Sequence, residues 1–160
     1  VDTGEETQTG GRLRRVRDYV KDEEAFCFTY GDGLSDIDVR AEVEFHMAHG
    51  KYATVAAVQP PGRYGALRMT GTAVQGFVEK PLGDGGWING GFFVLSPKAI
   101  DFVENENSIW EVWPLQRLAE HGQFEAFLPR GFWQPMDTLR EKVLLEGMGQ
   151  SGNAPWKTLA

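Results

Sequence analysis

One cysteine in 160 residues rules out an intrachain disulfide. That residue, Cys27, sits in Ala25-Phe26-Cys27-Phe28 and reads as a small, buried, reduced thiol. Long apolar runs are missing too. Nothing approaches the roughly 18 residues of a membrane span. No basic, apolar, small-residue leader opens the chain, and with the reduced thiol this favours the cytoplasm. Positive charge is scarce, with 16 Lys and Arg against 23 Asp and Glu and a net charge of −7. Phosphate backbones and anionic lipid demand a basic face, which argues against nucleic acid and membrane as partners. Histidine is rare, and His46, His49 and His121 lack metal-ligand spacing, so they read as helix-surface or helix-end residues. The one basic cluster is Arg12, Arg14, Arg15 and Arg17, the last three reading as a solvated helix face.

What is present is the composition of a globular domain, 41% hydrophobic and 24% charged. After a polar start, Leu13, Val16 and Val20 recur at helical spacing from about Thr9 or Gly10. Ala25 to Tyr30 suits a fully buried strand, stopped by Gly31-Asp32-Gly33. Asp36 or Asp38 can cap the next helix, whose apolar face reads as Val39, Val43, His46 and Met47. Gly50 ends it, and Ala53 to Val58 is a second buried strand, so the order strand, helix, strand predicts a βαβ unit. Pro60-Pro61-Gly62 opens a connection. Strands follow at Ala66 to Met69 and Val74 to Val78 around Thr70-Gly71-Thr72, and Pro81 to Gly86 forms a Gly-rich loop. Further on come a strand at Phe92 to Leu95, a helix opening at Pro97 and a helix from about Glu111 to His121. A strand at Phe124 to Leu128 follows. The final helix starts near Asp137 with Leu139, Val143 and Leu144 inward. The expected class is α/β, with a Rossmann-like, mostly parallel but mixed sheet and flanking helices.

Four short motifs carry polar groups where chemistry is done. Asp32 follows a strand between glycines, at the strand end where open α/β sheets bind ligands. Glu79-Lys80-Pro81 ends another strand, and Lys80 offers a point positive charge to a phosphate. Asn89, within Gly85-Gly86-Trp87-Ile88-Asn89-Gly90-Gly91, can bond a hydroxyl. Asp137 stands at the start of the last helix. Each has a plain structural alternative: a turn, a surface ion pair, a flexible hairpin loop and a helix cap. The five tryptophans, Trp87, Trp110, Trp113, Trp133 and Trp156, read mostly as core or interface.

In this order and spacing the motifs resemble the sugar-1-phosphate nucleotidyltransferase family, in its cytidylyl branch. Asp2-Thr3-Gly4-Glu5-Glu6-Thr7-Gln8-Thr9-Gly10-Gly11-Arg12-Leu13 is similar to that branch's nucleotide-proximal segment. Gln59-Pro60-Pro61-Gly62-Arg63-Tyr64-Gly65, Gly86-Trp87-Ile88-Asn89-Gly90-Gly91 and Gly131-Phe132-Trp133-Gln134-Pro135-Met136-Asp137 also match. The family opens with a strand and a Gly-Gly-x-Gly-x-Arg loop that are not in this sequence. The expectation is therefore that residues 1–160 form the C-terminal part of one nucleotidyltransferase domain. The resemblance implies Mg²⁺-dependent transfer of a cytidylyl group from CTP to glucose 1-phosphate by a chain that is a homo-oligomer at full length. It implies Asp32 and Asp137 as metal ligands, and Thr7, Arg12 and Gly31 as nucleotide contacts. Glu79, Lys80, Asn89 and Gly90 stand beside the sugar phosphate, and Lys80 and Arg12 neutralise charge. Another nucleotide or sugar, or a non-catalytic nucleotide-sugar binding module, remain the alternatives.

Overall fold

The computed structural model describes residues 1–160 except 61, 63, 81, 83–85 and 158–160. Pro61, Arg63 and Pro81, and most of the expected Pro81 to Gly86 loop, thus lie outside the described residues. In chain order the elements are α1 (Thr9–Arg15), α2 (Arg17–Val20), β1 (Phe26–Thr29), β2 (Gly33–Ser35), α3 (Val39–His49), β3 (Ala53–Val58), β4 (Ala66–Thr70), β5 (Ala73–Val78), β6 (Ile88–Leu95), a 3-10 helix (Pro97–Phe102), α4 (Trp113–Glu120), β7 (Phe124–Phe127), β8 (Trp133–Pro135), α5 (Leu139–Gln150) and a short 3-10 turn (Pro155–Lys157). The chain divides into two compact units.

The first unit comprises Val1–Thr29, Val39–Ala56 and Phe92–Phe127. Its sheet runs β1-β6-β3-β7. β1 pairs antiparallel with β6, Phe26 opposite Leu95, and β3 pairs parallel with β7, Ala53 opposite Phe124. The sheet is mixed, as expected, and β6 lies between β1 and β3, the two strands joined through α3. β3 is buried along its whole length, as its unbroken apolar run predicts. The core gathers on Trp110, Phe93, Leu95, Ile100 and Leu118. The Trp110 ring meets Phe28 and Phe93 edge-on at 6.2 and 6.0 Å, a favoured aromatic geometry.

Three expectations for this unit are corrected. β1 alternates half-buried and exposed residues instead of being fully buried, and Cys27 is exposed, because β1 lies at the end of the sheet order. The inward face of α3 is polar: Glu42 and His46 are buried, whereas Val39 and Met47 are 41% and 40% exposed. Arg14, Arg15 and Arg17 are not a bare solvated face. Arg14 donates to the carbonyls of Val103 and Glu104, Arg15 pairs with Glu106 at 2.5 Å, and Arg17 pairs with Asp101 at 2.5 Å. Together they tie α1 and α2 to segment 101–106.

That attachment needs small residues. The Gly10 and Gly11 N–H groups donate to the Ser108 carbonyl at 3.0 and 3.2 Å. A Cβ on Gly10 would stand 2.7 Å from that oxygen, and one on Gly11 would run into the Glu106 carbonyl. Gly11→Ala is therefore expected to cost about 2 kcal/mol through backbone overpacking, read as a lower urea midpoint at unchanged slope.

Behind α3 lies a chain of directed hydrogen bonds. The Lys51 backbone N–H donates to His49 Nδ1 at 2.9 Å, so that nitrogen is unprotonated. His49 then carries its proton on Nε2 and donates to Thr54 Oγ1 at 2.7 Å, and the Thr54 hydroxyl donates to His46 Nδ1 at 2.9 Å. Both imidazoles are held neutral. Burial lowers the His46 pKa to about 4, with a further contribution from His49, and burial also lowers His49. Glu42 has a side-chain oxygen with no partner among the described residues, and its burial pushes the carboxyl up to about 7.

The second unit comprises Tyr30–Asp38, Ala57–Gly91 and Leu128–Ala160. Here β4 and β5 form a hairpin, with Gly71 at φ 59° in its turn and Leu67 facing Phe77 across it. All of β4 is exposed. The short strands β2 and β8 pair antiparallel, Gly33 opposite Pro135 and Ser35 opposite Trp133. The inward residue of α5 is Leu145, while Leu139, Val143 and Leu144, expected inward, are exposed.

Candidate functional site

The site is built on the β2/β8 ladder. Asp36, expected as a helix cap, brackets Phe132 instead. Its Oδ1 accepts the Phe132 N–H at 2.7 Å, and its own N–H donates to the Phe132 carbonyl at 3.2 Å. The Ser35 hydroxyl donates to the same carbonyl at 2.7 Å. Gly131 lets the Asp36 carboxylate come this close, since a Cβ there would occupy the carboxylate's position. With one end of the ladder clamped, the other is closed by the Met136 N–H donating to the Asp32 carbonyl at 2.7 Å. Asp32 and Asp137, 105 positions apart in sequence, are thereby brought to the same end of one small ladder.

Neither carboxylate is used by the fold. Asp137 is not the helix cap: α5 is capped by Thr138, whose side chain accepts from the Glu141 N–H while the Glu141 carboxylate accepts from the Thr138 N–H. Glu141 also takes the Asp137 N–H, at 3.0 Å. Among the described residues, no side-chain hydrogen bond or ion pair engages the Asp32 or Asp137 carboxylate, and both residues are exposed. No group of three or more His, Cys, Asp or Glu able to hold a metal is found among the described residues. A metal held here would draw its remaining ligands from water and substrate.

Around the ladder stand several other expected positions. Asn89 falls within β6 instead of a flexible loop. Its Oδ1 accepts the Gly91 N–H at 2.8 Å and its Nδ2 donates to the Tyr30 hydroxyl at 3.3 Å. Gly91 has φ 78°, and a Cβ there would stand 2.7 Å from the Tyr30 ring, so only glycine fits. The Trp133 indole N–H donates to the Gly90 carbonyl at 2.8 Å. A Cβ on Gly31 meets nothing within 4 Å, so packing does not require that glycine. Glu79 and Lys80 form an exposed ion pair at 3.6 Å, and Lys80 holds φ 45°, a strained value for a residue with a side chain.

Thr7 and Arg12 belong to the first unit. Arg12 donates to Thr3 Oγ1 at 2.7 Å and to the Glu5 carbonyl at 3.1 Å, closing the loop that contains Thr7. Gly31, Asp32, Glu79, Lys80, Asn89, Gly90 and Asp137 all belong to the second unit.

A cavity of about 540 Å³ in the second unit is lined by Asp36, Gln59, Trp87, Arg130 and Trp133 among others, a size that suits a small molecule. Asp32 and Asp137 are not in its lining, so the candidate site rests on the carboxylates and not on the cavity. Sequence reasoning missed Tyr30, Asp36 and Trp133 as builders of this region. Tyr30 and Trp133 flank the two aspartate motifs, which is the signal that could have found them. Of the five tryptophans only Trp110 is in the core, while Trp87 and Trp113 are exposed.

Comparisons with known proteins agree with this architecture. The chain is 59% identical over 158 residues to glucose-1-phosphate cytidylyltransferase of Salmonella typhimurium, covering 99% of this chain and 62% of that protein. It is 37% identical to the probable glucose-1-phosphate cytidylyltransferase of Bacillus subtilis, covering 98% and 61%. The chain thus spans less than two thirds of these relatives. Among solved structures, HddC from Yersinia pseudotuberculosis superposes with TM-score 0.65 at 23% identity, covering 88% of this chain and 62% of that one. A UDP-glucose pyrophosphorylase complexed with UDP-glucose gives TM-score 0.65 at 15% identity, covering 95% and 65%. At those identities the likeness concerns the fold alone. With residues 3–138 matched by the model described as Nucleotidyl transferase, the chain belongs to that family.

Proposed function

We propose that the protein of which this chain is a part transfers a cytidylyl group from CTP to α-D-glucose 1-phosphate, giving CDP-glucose and pyrophosphate. The observation that carries this reading is the pair of unengaged carboxylates, Asp32 and Asp137, drawn to one end of the β2/β8 ladder. The 59% identity to the Salmonella enzyme supports the choice of nucleotide and sugar. Residues 1–160 would form the C-terminal part of a single nucleotidyltransferase domain.

A phosphate oxygen of the sugar phosphate attacks the α-phosphorus of CTP. The new oxygen–phosphorus bond forms as the bond to the bridging oxygen breaks, and that electron pair leaves with pyrophosphate. The attacking oxygen is already anionic, so no side chain has to remove a proton. What the protein must supply is alignment and relief of repulsion between two polyanions. In this reading Lys80 holds the sugar phosphate, Thr7 and Arg12 contact the nucleotide with Arg12 neutralising its phosphate charge, and Gly31 leaves room for close approach. Glu79, Asn89 and Gly90 border the hexose.

The donor set suits Mg²⁺, a hard ion that takes one or two carboxylates and fills its shell with water and phosphate oxygens. Asp32 and Asp137 would hold it, and when bound it supplies neutralisation of the charge developing at phosphorus. The acidic chain can then accept anionic substrates. The direct test is Mg²⁺-dependent pyrophosphate release with CTP, UTP, dTTP and GTP in turn, each with glucose 1-phosphate. Preference for CTP by at least tenfold is expected, and equal use of another nucleotide would reject the cytidylyl assignment. A homo-oligomeric, cytoplasmic protein is the accompanying expectation, tested by light scattering of the purified protein and by fractionation.

A further inference from the structure

The strand that brings Asp137 to the site also grips the segment proposed to border the hexose. Trp133 opens β8, and its indole N–H donates to the Gly90 carbonyl at 2.8 Å. Three residues on, the Met136 N–H donates to the Asp32 carbonyl at 2.7 Å. Within the same unit the gripped segment is shaped from its other side by Tyr30. The Tyr30 N–H donates to the Gly91 carbonyl at 3.0 Å, its hydroxyl accepts from Asn89, and its ring fills the space below Gly91. Gly90 and Gly91 are buried, so their carbonyls need protein partners; Trp133 serves one and Tyr30 the other.

We infer that Trp133 is a positioning residue, whose indole N–H sets the Asn89–Gly90 segment against the hexose of the sugar nucleotide. The inference rests on the reading above that this segment borders the sugar. Without the bond, the Gly90 carbonyl loses its direct donor, and a peptide free to turn presents the hexose with the wrong groups. The aromatic ring alone cannot do this, because a ring packs without directing a carbonyl. The nucleotide moiety makes no demand on this bond, which separates a positioning effect from a general loss of structure.

The test is isothermal titration of the whole protein of which this chain is a part, in Mg²⁺, with CDP-glucose and with CDP. Trp133→Phe keeps an aromatic ring but removes the indole N–H together with the smaller ring that carries it. Its dissociation constant for CDP-glucose is expected to rise about three- to tenfold, as loss of one hydrogen bond implies, with that for CDP within about twofold of the parent. Unchanged constants, or equal weakening for both ligands, would overturn the inference and leave the proposed activity standing. A parent protein that binds CDP and CDP-glucose equally well would reject the hexose reading itself, and the inference with it. A second, ligand-free measurement is amide-type exchange of the Trp133 indole proton by NMR. Slow exchange is expected, and exchange at the rate of an exposed indole would also overturn it.

Discussion

Replacing Asp32 or Asp137 by asparagine is expected to cut Mg²⁺-dependent pyrophosphate release on the order of 100- to 1000-fold without lowering thermal stability. The rate falls because an amide oxygen carries no charge to hold a divalent cation, and several kcal/mol of charge neutralisation is lost with it. Stability should hold within about 0.5 kcal/mol, since neither carboxylate has a hydrogen bond or ion pair to lose among the described residues. Binding of Mn²⁺, followed by electron paramagnetic resonance, should weaken in parallel and gives a readout that does not depend on turnover. The control sits next door. Thr138→Ala removes the side chain that caps α5 and should cost about 1 kcal/mol while leaving Mn²⁺ binding near the parent value. If Asp137→Asn instead behaved like the cap variant, unstable but still able to bind the ion, Asp137 would be a structural residue and the proposed site would fall.

The second large effect concerns pH. Glu42 is 1% exposed and its carboxyl titrates at about 7 instead of 4.5, because burial disfavours the anion. Its folded pKa is raised, so its contribution to stability is complete below 4.5 and is lost as pH rises through 7. That loss is about 3 kcal/mol. His46 works in the opposite sense. Its folded pKa of about 4 lies below the ordinary 6.5, so its contribution is complete above 6.5 and is lost as pH falls toward 4. His49, lowered chiefly by burial, adds to the same side against the pull of Glu125. Between about 4.5 and 6.5 the two slopes oppose each other, and the parent protein should show a shallow profile there.

Glu42→Gln exposes the hidden half of that balance. The amide does not titrate, so the variant should be more stable than the parent at pH 8, by up to about 3 kcal/mol. On acidification below 6.5 it should lose stability steeply, as protonation of His49 Nδ1 collides with the Lys51 N–H and protonation of His46 Nδ1 with the Thr54 hydroxyl. Urea unfolding across pH 4 to 8 reads both slopes. Parallel profiles for variant and parent would show that Glu42 is not the group responsible.

Much of the fold was legible because periodicity survives in the local sequence. The apolar run Ala53 to Val58 could only be a buried strand, and the turn at Gly71 and the stop at Gly122 were visible as glycines, both with positive φ. The failures share one cause. The outward position of Leu139, Val143 and Leu144, the polar inner face of α3 and the exposure of Cys27 depend on which neighbour an element meets, and apolar spacing does not name the neighbour. The arginines at 14, 15 and 17 looked like a solvated face because their partners, from Asp101 to Glu106, are about ninety positions away in sequence.

The candidate site divides along the same line. Residue types and their order were enough to single out Asp32, Lys80, Asn89 and Asp137, because a carboxylate after a strand or a lysine before a proline is a local fact. Taken alone, Asp137 was as readily a helix cap as a ligand. The cap itself was local, because Thr138-Leu139-Arg140-Glu141 is a capping-box sequence that outcompetes Asp137. Only the tertiary structure placed Asp137 at the end of a ladder closed by the Asp32 carbonyl. It alone joined Trp133 to Gly90 and Tyr30 to Gly91, since hydrogen bonds between segments far apart in the chain are set by register and packing, and those exist only once the chain has folded.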